Sequence, residues 1–144
     1  MNSIKMIEYL IESGADVKNK NKSGGTALMI CIGNVTKDLY LEIIKLLIRK
    51  GSEINCQDFY GNTTLMLSFK SNLNKLIKYD IIKLLLDNKA DIYLKNKKGK
   101  NILDIVKNSI GSDNSDIYSL IFNYKNLKND HFCEFDIDFI YYIL

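Results

Sequence analysis

Glu42-Ile-Ile-Lys-Leu-Leu-Ile-Arg-Lys-Gly51 returns 38 residues later as Asp80-Ile-Ile-Lys-Leu-Leu-Leu-Asp-Asn-Lys89. A looser copy, Lys5-Met-Ile-Glu-Tyr-Leu-Ile-Glu-Ser-Gly14, stands 37 residues before it. Each copy runs into a small residue, an acid and an aliphatic: Ala15-Asp16-Val17, Ser52-Glu53-Ile54, Ala90-Asp91-Ile92. A second phrase alternates with the first. It reads Gly24-Gly-Thr-Ala-Leu-Met29, then Gly61-Asn-Thr-Thr-Leu-Met66, then the degraded Gly99-Lys-Asn-Ile-Leu-Asp104. Self-similarity at a fixed period of a few tens of residues signals units that bury their apolar faces on one another by stacking.

The first phrase is helical. Ile43, Leu46 and Leu47 fall at i, i+3 and i+4, as do Ile81, Leu84 and Leu85, and, in the first copy, Met6, Tyr9 and Leu10. That spacing gathers side chains into one stripe of a 3.6-residue helix. Gly14 and Gly51 supply the left-handed residue that ends such a helix. Lys89 holds the same place in the third copy and predicts mild strain there. The second phrase reads as a tight bend relieved by Gly24, Gly61 and Gly99, then an N-cap from Thr26, Thr63 or Asn101. Short apolar helices follow over 27–32, 64–69 and 102–106. The chain has no proline, so polar stretches rather than proline stops end these helices.

Turn, short helix, loop, long helix, loop: this unit resembles the ankyrin repeat, over roughly residues 3 to 125. The family's Asp-x-x-Gly-x-Thr pattern is met by Asp58, Gly61 and Thr63, with Leu65 behind them. Its long-helix pattern is met by Asp80, Lys83, Leu84 and Leu85, and its Gly-Ala-Asp-Val-Asn pattern by Gly14, Ala15, Asp16, Val17 and Asn55. The family's proline position instead holds Ala27, Thr64 and Ile102, and its histidine position holds Met29, Met66 and Asp104. The methionines predict packing where the histidine would link turns by hydrogen bonds. Units of 37, 38 and about 36 residues exceed the family's 33. The excess lies before Glu42, Asp80 and Asp116, as longer loops or helices extended by up to a turn. Such insertions resemble those of ankyrin proteins from large DNA viruses and AT-rich protists. The resemblance implies an all-α helical solenoid with β-hairpin-like turns. It divides into a partial repeat over 1–20 and repeats at about 21–57, 58–95 and 96–125.

Residues 126–144 form an apolar tail with two open readings. Cys133, Phe135, Ile137, Phe139 and Tyr141 alternate as in a strand; Phe132, Phe135, Phe139 and Tyr142 make a helical stripe. A stacked fold favours the capping helix. At the other end no short helix precedes the first long one, leaving Met6, Ile7, Leu10 and Ile11 poorly covered. That suggests a fragment of a longer array, or a homodimer through the N-terminal helix or the tail.

Catalysis needs convergent titratable groups, and the chain offers few. His131 is the one histidine and lies in the stretch leading to the tail. Asp16, Glu53 and Asp91 recur one repeat apart, but as loop residues they are expected to hold turns by local hydrogen bonds. Cys31, Cys56 and Cys133 are odd in number and widely spaced, so neither a disulfide framework nor a zinc site is implied. No cofactor, metal or enzymatic activity is expected. The N-terminus lacks a signal-peptide layout and no apolar run approaches a membrane span. These features point to a reducing intracellular compartment, the cytoplasm of a host cell if the source is viral. The net charge of +3 comes from 19 lysines and one arginine against 17 acids. Arginine is the preferred phosphate fork, so its scarcity argues against nucleic-acid recognition.

In ankyrin proteins partners dock on the turn tips and the exposed side of the short helices. The matching positions here are Lys22, Ser23, Gly25 and Asn34, then Phe59, Tyr60, Asn62, Lys70 and Ser71, then Lys97, Lys98 and Lys100. The resemblance therefore implies a scaffold, adaptor or competitive inhibitor that binds a protein partner. Two aromatics on one tip flanked by lysines point to an acidic partner. The competing reading of Phe59-Tyr60 is that one ring packs down on the neighbouring turn.

Overall fold

The computed structural model describes residues 3–34, 40–109 and 114–128. Among them are seven helices: α1 (Ser3–Glu12), α2 (Ala27–Asn34), α3 (Tyr40–Arg49), α4 (Thr64–Lys70), α5 (Lys75–Asp87), α6 (Ile102–Lys107) and α7 (Ser115–Lys128). They form two layers. The short helices stack in a row, α2 on α4 and α4 on α6. The longer ones flank them: α3 packs on α2, α5 on α4, and α7 on both α6 and α5, while α1 lies against α3.

The apolar stripes explain this arrangement. Ile43, Ile44, Leu46 and Leu47 of α3 and Ile81, Ile82, Leu85 and Leu86 of α5 are buried. All of these except Leu46 share one core with Leu28 and Ile32 of α2, Leu65, Met66 and Phe69 of α4, and Ile102, Ile105 and Val106 of α6. Full burial of one such side chain is worth about 1.5–3 kcal/mol. A hydrogen bond nets only about 1 kcal/mol, so packing holds the layers together and hydrogen bonds set their register. Met29 and Met66, standing where the family has histidine, are both buried. Asp104, the third residue at that position, takes another part. Its carboxylate accepts from the Asn101 N–H while the Asn101 side chain accepts from the Asp104 N–H, both at 3.0 Å. This reciprocal capping box starts α6.

All three long-helix phrases end alike. Ala15, Ser52 and Ala90 donate their N–H groups to the carbonyls of Leu10, Leu47 and Leu85. Gly14, Gly51 and Lys89 donate to Ile11, Ile48 and Leu86. These paired bonds are the Schellman closure, and it needs a left-handed residue. Lys89 accordingly has φ 66°, the single positive φ among described non-glycine residues.

Two expectations are corrected. In α1 the inward stripe is Ile4, Ile7 and Ile11, which pack on the core. Met6, Tyr9 and Leu10 face outward and are exposed. Their counterparts in α3 and α5 belong to helices with two well-packed neighbours each, whereas among the described residues the main neighbour of α1 is α3. Further, α2 continues through Gly33 to Asn34, two residues past the expected end. In the middle unit the surplus residues are partly helical, because α5 begins at Lys75, one turn before Asp80, with Asn74 capping it through the Ile77 N–H. The expected tail over 126–144 falls outside the described residues apart from 126–128, which continue α7.

Candidate functional site: the hairpin edge

Between a long helix and the next short one the chain makes a hairpin, and the three hairpins share a skeleton. Asn21, Asp58 and Asn96 each accept two backbone N–H bonds on Oδ1. The donors are Ser23 and Gly25 in the first hairpin, Tyr60 and Asn62 in the second, Lys98 and Lys100 in the third. The same three residues also exchange backbone bonds across the turn, Asn21 N–H to Gly25 O, Asp58 N–H to Asn62 O and Asn96 N–H to Lys100 O. A short polar side chain can reach its own backbone two residues on and so fix the bend. Antiparallel bridges Lys20–Thr26 and Gln57–Thr63 close the first two hairpins.

The hairpins are joined into one edge. The Phe59 N–H donates to the Ser23 carbonyl at 3.0 Å and the Lys97 N–H to the Tyr60 carbonyl at 2.9 Å. The Lys20 ammonium donates to the Gln57 carbonyl, and the Gln57 amide in turn to the Lys95 carbonyl. Asn96 reaches Asn62 at 3.3 Å. Below the tips, Asn55 accepts from the Asp91 N–H and donates to the Lys89 carbonyl. Close approach explains the glycine at the second tip. Gly61 has φ 75°, and a Cβ there would lie 2.8 Å from Lys97 N and 2.9 Å from Asn96 Cα.

What the edge offers to solvent is uneven. At the first tip Lys22 and Ser23 are exposed. At the second, Phe59 is 60% exposed and Tyr60 71%, yet one side of the Phe59 ring rests on Gly24, whose notional Cβ would lie 2.6 Å from Phe59 Cδ1. One ring therefore packs down on the preceding turn and the other stands free of it. At the third tip Lys97, Lys98 and Lys100 are all exposed. Lys70 at the end of α4 is exposed, with its ammonium 3.1 Å from Asn62 Oδ1. Asn62 is half-buried and ties its own hairpin to the next; Ser71 is half-buried and donates to the Ser68 carbonyl at 2.6 Å. Asn34 closes α2. Ile30 on α2 adds an exposed aliphatic beside the tips' row of short helices.

Charge is concentrated here. Hairpins 20–26, 57–63 and 95–101 hold Lys20, Lys22, Lys95, Lys97, Lys98 and Lys100 against Asp58, a net of +5 where the whole chain has +3. The rest of the chain therefore carries −2. The Asp58 carboxylate is turned onto the N–H groups of its own hairpin, which leaves the edge's outward charge basic.

The recurring acids lie elsewhere, in the loops after the long helices. Asp16 accepts from the Lys18 N–H and Asp91 from the Tyr93 N–H. Glu53, one methylene longer, instead takes the Cys56 thiol at 3.1 Å and lies 4.0 Å from the Lys18 ammonium. Burial, then this hydrogen bond, raises the Cys56 pKa. Burial raises that of Cys31, which is half-buried. Both thiols are kept in the protonated form, which is not nucleophilic.

Asn21 and Asn96 were not singled out in the sequence, although their place three residues before each glycine repeats that of Asp58.

A family model described as ankyrin repeats, in three copies, matches residues 1–96. Two ankyrin repeat proteins of Acanthamoeba polyphaga mimivirus are similar, at 35% identity over 70% of the chain and 33% over 73%. Mouse protein phosphatase 1 regulatory subunit 12A is 32% identical over 67% of the chain. The chain spans 20% and 62% of the two mimivirus proteins and 8% of the mouse one. No helix of the described residues is long and apolar enough to cross a membrane.

Proposed function

The chain belongs to the ankyrin repeat family, and on that premise we propose that it is a non-catalytic module that docks a protein partner on its hairpin edge and short-helix face. Ankyrin repeats are generally protein–protein interaction modules, and one relative is named as a regulatory subunit of a phosphatase. The observation that carries the reading is the edge itself. Three hairpins hydrogen-bonded in series present an exposed aromatic, Tyr60, among exposed lysines. Aromatic side chains are frequent interface anchors, and a basic rim selects an acidic partner by steering its approach. The contact set is Lys22, Ser23, Phe59, Tyr60, Lys97, Lys98 and Lys100, with Asn34, Asn62, Lys70 and Ser71 on the short-helix side. The working unit is the repeat array through α7, acting in the cytoplasm.

The test is capture of partners from a cell lysate by wild type and by Tyr60→Ala. Phe59 is left intact because its ring also packs on Gly24. A protein retained by wild type and lost from the variant supports the reading. Equal retention by both places the docking face elsewhere.

A second reading rests on α1. Exposed Met6, Tyr9 and Leu10 form an apolar strip suited to self-association. A mass by light scattering that stays at one chain through the micromolar range eliminates it.

A further inference from the structure

The edge is not a uniform basic strip. Its first hairpin carries two lysines, its second Asp58 with Phe59 and Tyr60, its third four lysines. Stacking fixes these tips in that spatial order. Ile30 on α2 is a further exposed aliphatic. Basic charge thus peaks at one end of the edge, and its exposed aromatics lie in the middle.

We infer that the edge reads a two-part segment of a partner protein: apolar or aromatic residues seated on Tyr60, followed by an acidic run lying along the third hairpin. This rests on the docking function proposed above and specifies the chemistry of what is docked. Three observations favour a peptide over a nucleic acid. The lysines of the third hairpin are point charges without a guanidinium fork, whereas planar bidentate recognition of phosphate favours arginine. The charge thins in the middle of the edge, where the second tip itself carries no lysine and the Lys70 ammonium is held 3.1 Å from Asn62 Oδ1. And one aromatic of the pair, Phe59, already has one side of its ring on Gly24, which leaves Tyr60 as a single anchor rather than a row of stacking platforms. An acidic run beside one apolar anchor matches each of these.

The orientation follows from charge. Opposite charges a few ångströms apart at a surface attract enough to set register, and more so at low salt. The acidic end is therefore drawn to Lys95, Lys97, Lys98 and Lys100.

The probe is a synthetic peptide with a Tyr-Leu pair followed by a run of glutamates, labelled with fluorescein, titrated by anisotropy against the full chain. Lys97→Glu with Lys98→Glu is expected to weaken binding by about tenfold or more. Tyr60→Ala is expected to weaken it about fivefold. Lys50→Glu with Lys83→Glu changes net charge equally on exposed positions of the long-helix side and is expected to change affinity less than about twofold. Melting curves of all variants verify that they fold. A nitroxide on the peptide's acidic end should broaden the amide signals of 95–101, and one on its Tyr-Leu end those of 57–61. The inference is overturned by a peptide that fails to bind in the millimolar range, or by equal losses in the two charge-reversal variants. It is also overturned by broadening in the opposite order, or by an oligothymidylate of equal charge that binds more tightly and displaces the peptide. A peptide that fails while Tyr60→Ala still loses a captured protein refutes this segment chemistry and leaves the docking function standing.

Discussion

The second and third hairpins are the same device in different surroundings. Asp58 and Asn96 bend them with identical bond pairs, and Gly61 and Gly99 sit at φ 75° and 72°. Yet a Cβ on Gly61 would collide with the backbone of the third hairpin, whereas one on Gly99 would meet nothing within 4 Å. The second hairpin is enclosed by a neighbour on each side; the third has one neighbour among the described residues. The skeleton is thus reused, and tolerance depends on what stacks against it. The two tip residues between the anchor and the glycine take no part in the skeleton through their side chains. Tyr60 and Lys98 can therefore differ freely, whereas the Phe59 ring also packs on Gly24.

The largest effect that can break this comparison comes from alanine at the two glycines. Gly61→Ala combines left-handed strain with a backbone clash and should cost roughly 2–5 kcal/mol. Gly99→Ala carries the strain alone, about 1–2 kcal/mol. Urea unfolding of both variants reads the difference, and equal costs would show that the neighbours do not matter.

Next in size is Lys89→Gly, just before the third hairpin. It relieves a left-handed lysine and should raise stability by about 1 kcal/mol in the same assay. A smaller gain is expected at the second hairpin from Thr64→Pro. Thr64 is the first residue of α4, its buried hydroxyl lacks a hydrogen-bond partner, and Thr63 before it is extended. Proline suits that first helical position, and the gain should be about 0.5–1 kcal/mol.

The smallest effect concerns the flank of the third unit, where Lys75 of α5 meets Asp116 of α7 at 2.9 Å. The hydrogen bond from Lys75 and its charge hold the Asp116 carboxyl below its ordinary value. A depressed carboxyl contributes stability above its unfolded pKa and loses it as pH falls through the folded one. Asp116→Asn should therefore flatten the acid end of the stability–pH curve slightly, and high salt should erase the difference from wild type.

Much of this was legible in the sequence, because local rules govern it. The helix phrases, their left-handed ends and the Thr63 and Asn101 caps depend on residues within one turn of each other. So does the strain at Lys89. What escaped depends on contacts between repeats. That the Phe59 ring rests on Gly24, and that Gly61 is hemmed in by residues 96 and 97, follows from stacking distance, which no spacing within a repeat encodes. The inward turn of Ile7 and Ile11 and the outward turn of Tyr9 escaped for the same reason: the periodicity of Met6, Tyr9 and Leu10 equals that of Ile43, Leu46 and Leu47, and only the neighbours differ. Asp104 was passed over as a lost histidine position, although its place three residues after Asn101 is the signature of a capping box.

The most direct test of the hairpin edge as the docking site is an amide NMR titration of the intact chain with a partner captured by wild type. The account predicts that the shifted signals concentrate in 22–25, 59–62 and 97–100 and spare α1 and the loops at Asp16, Glu53 and Asp91. Shifts centred instead on Met6, Tyr9 and Leu10 would contradict it and make the α1 strip the interface.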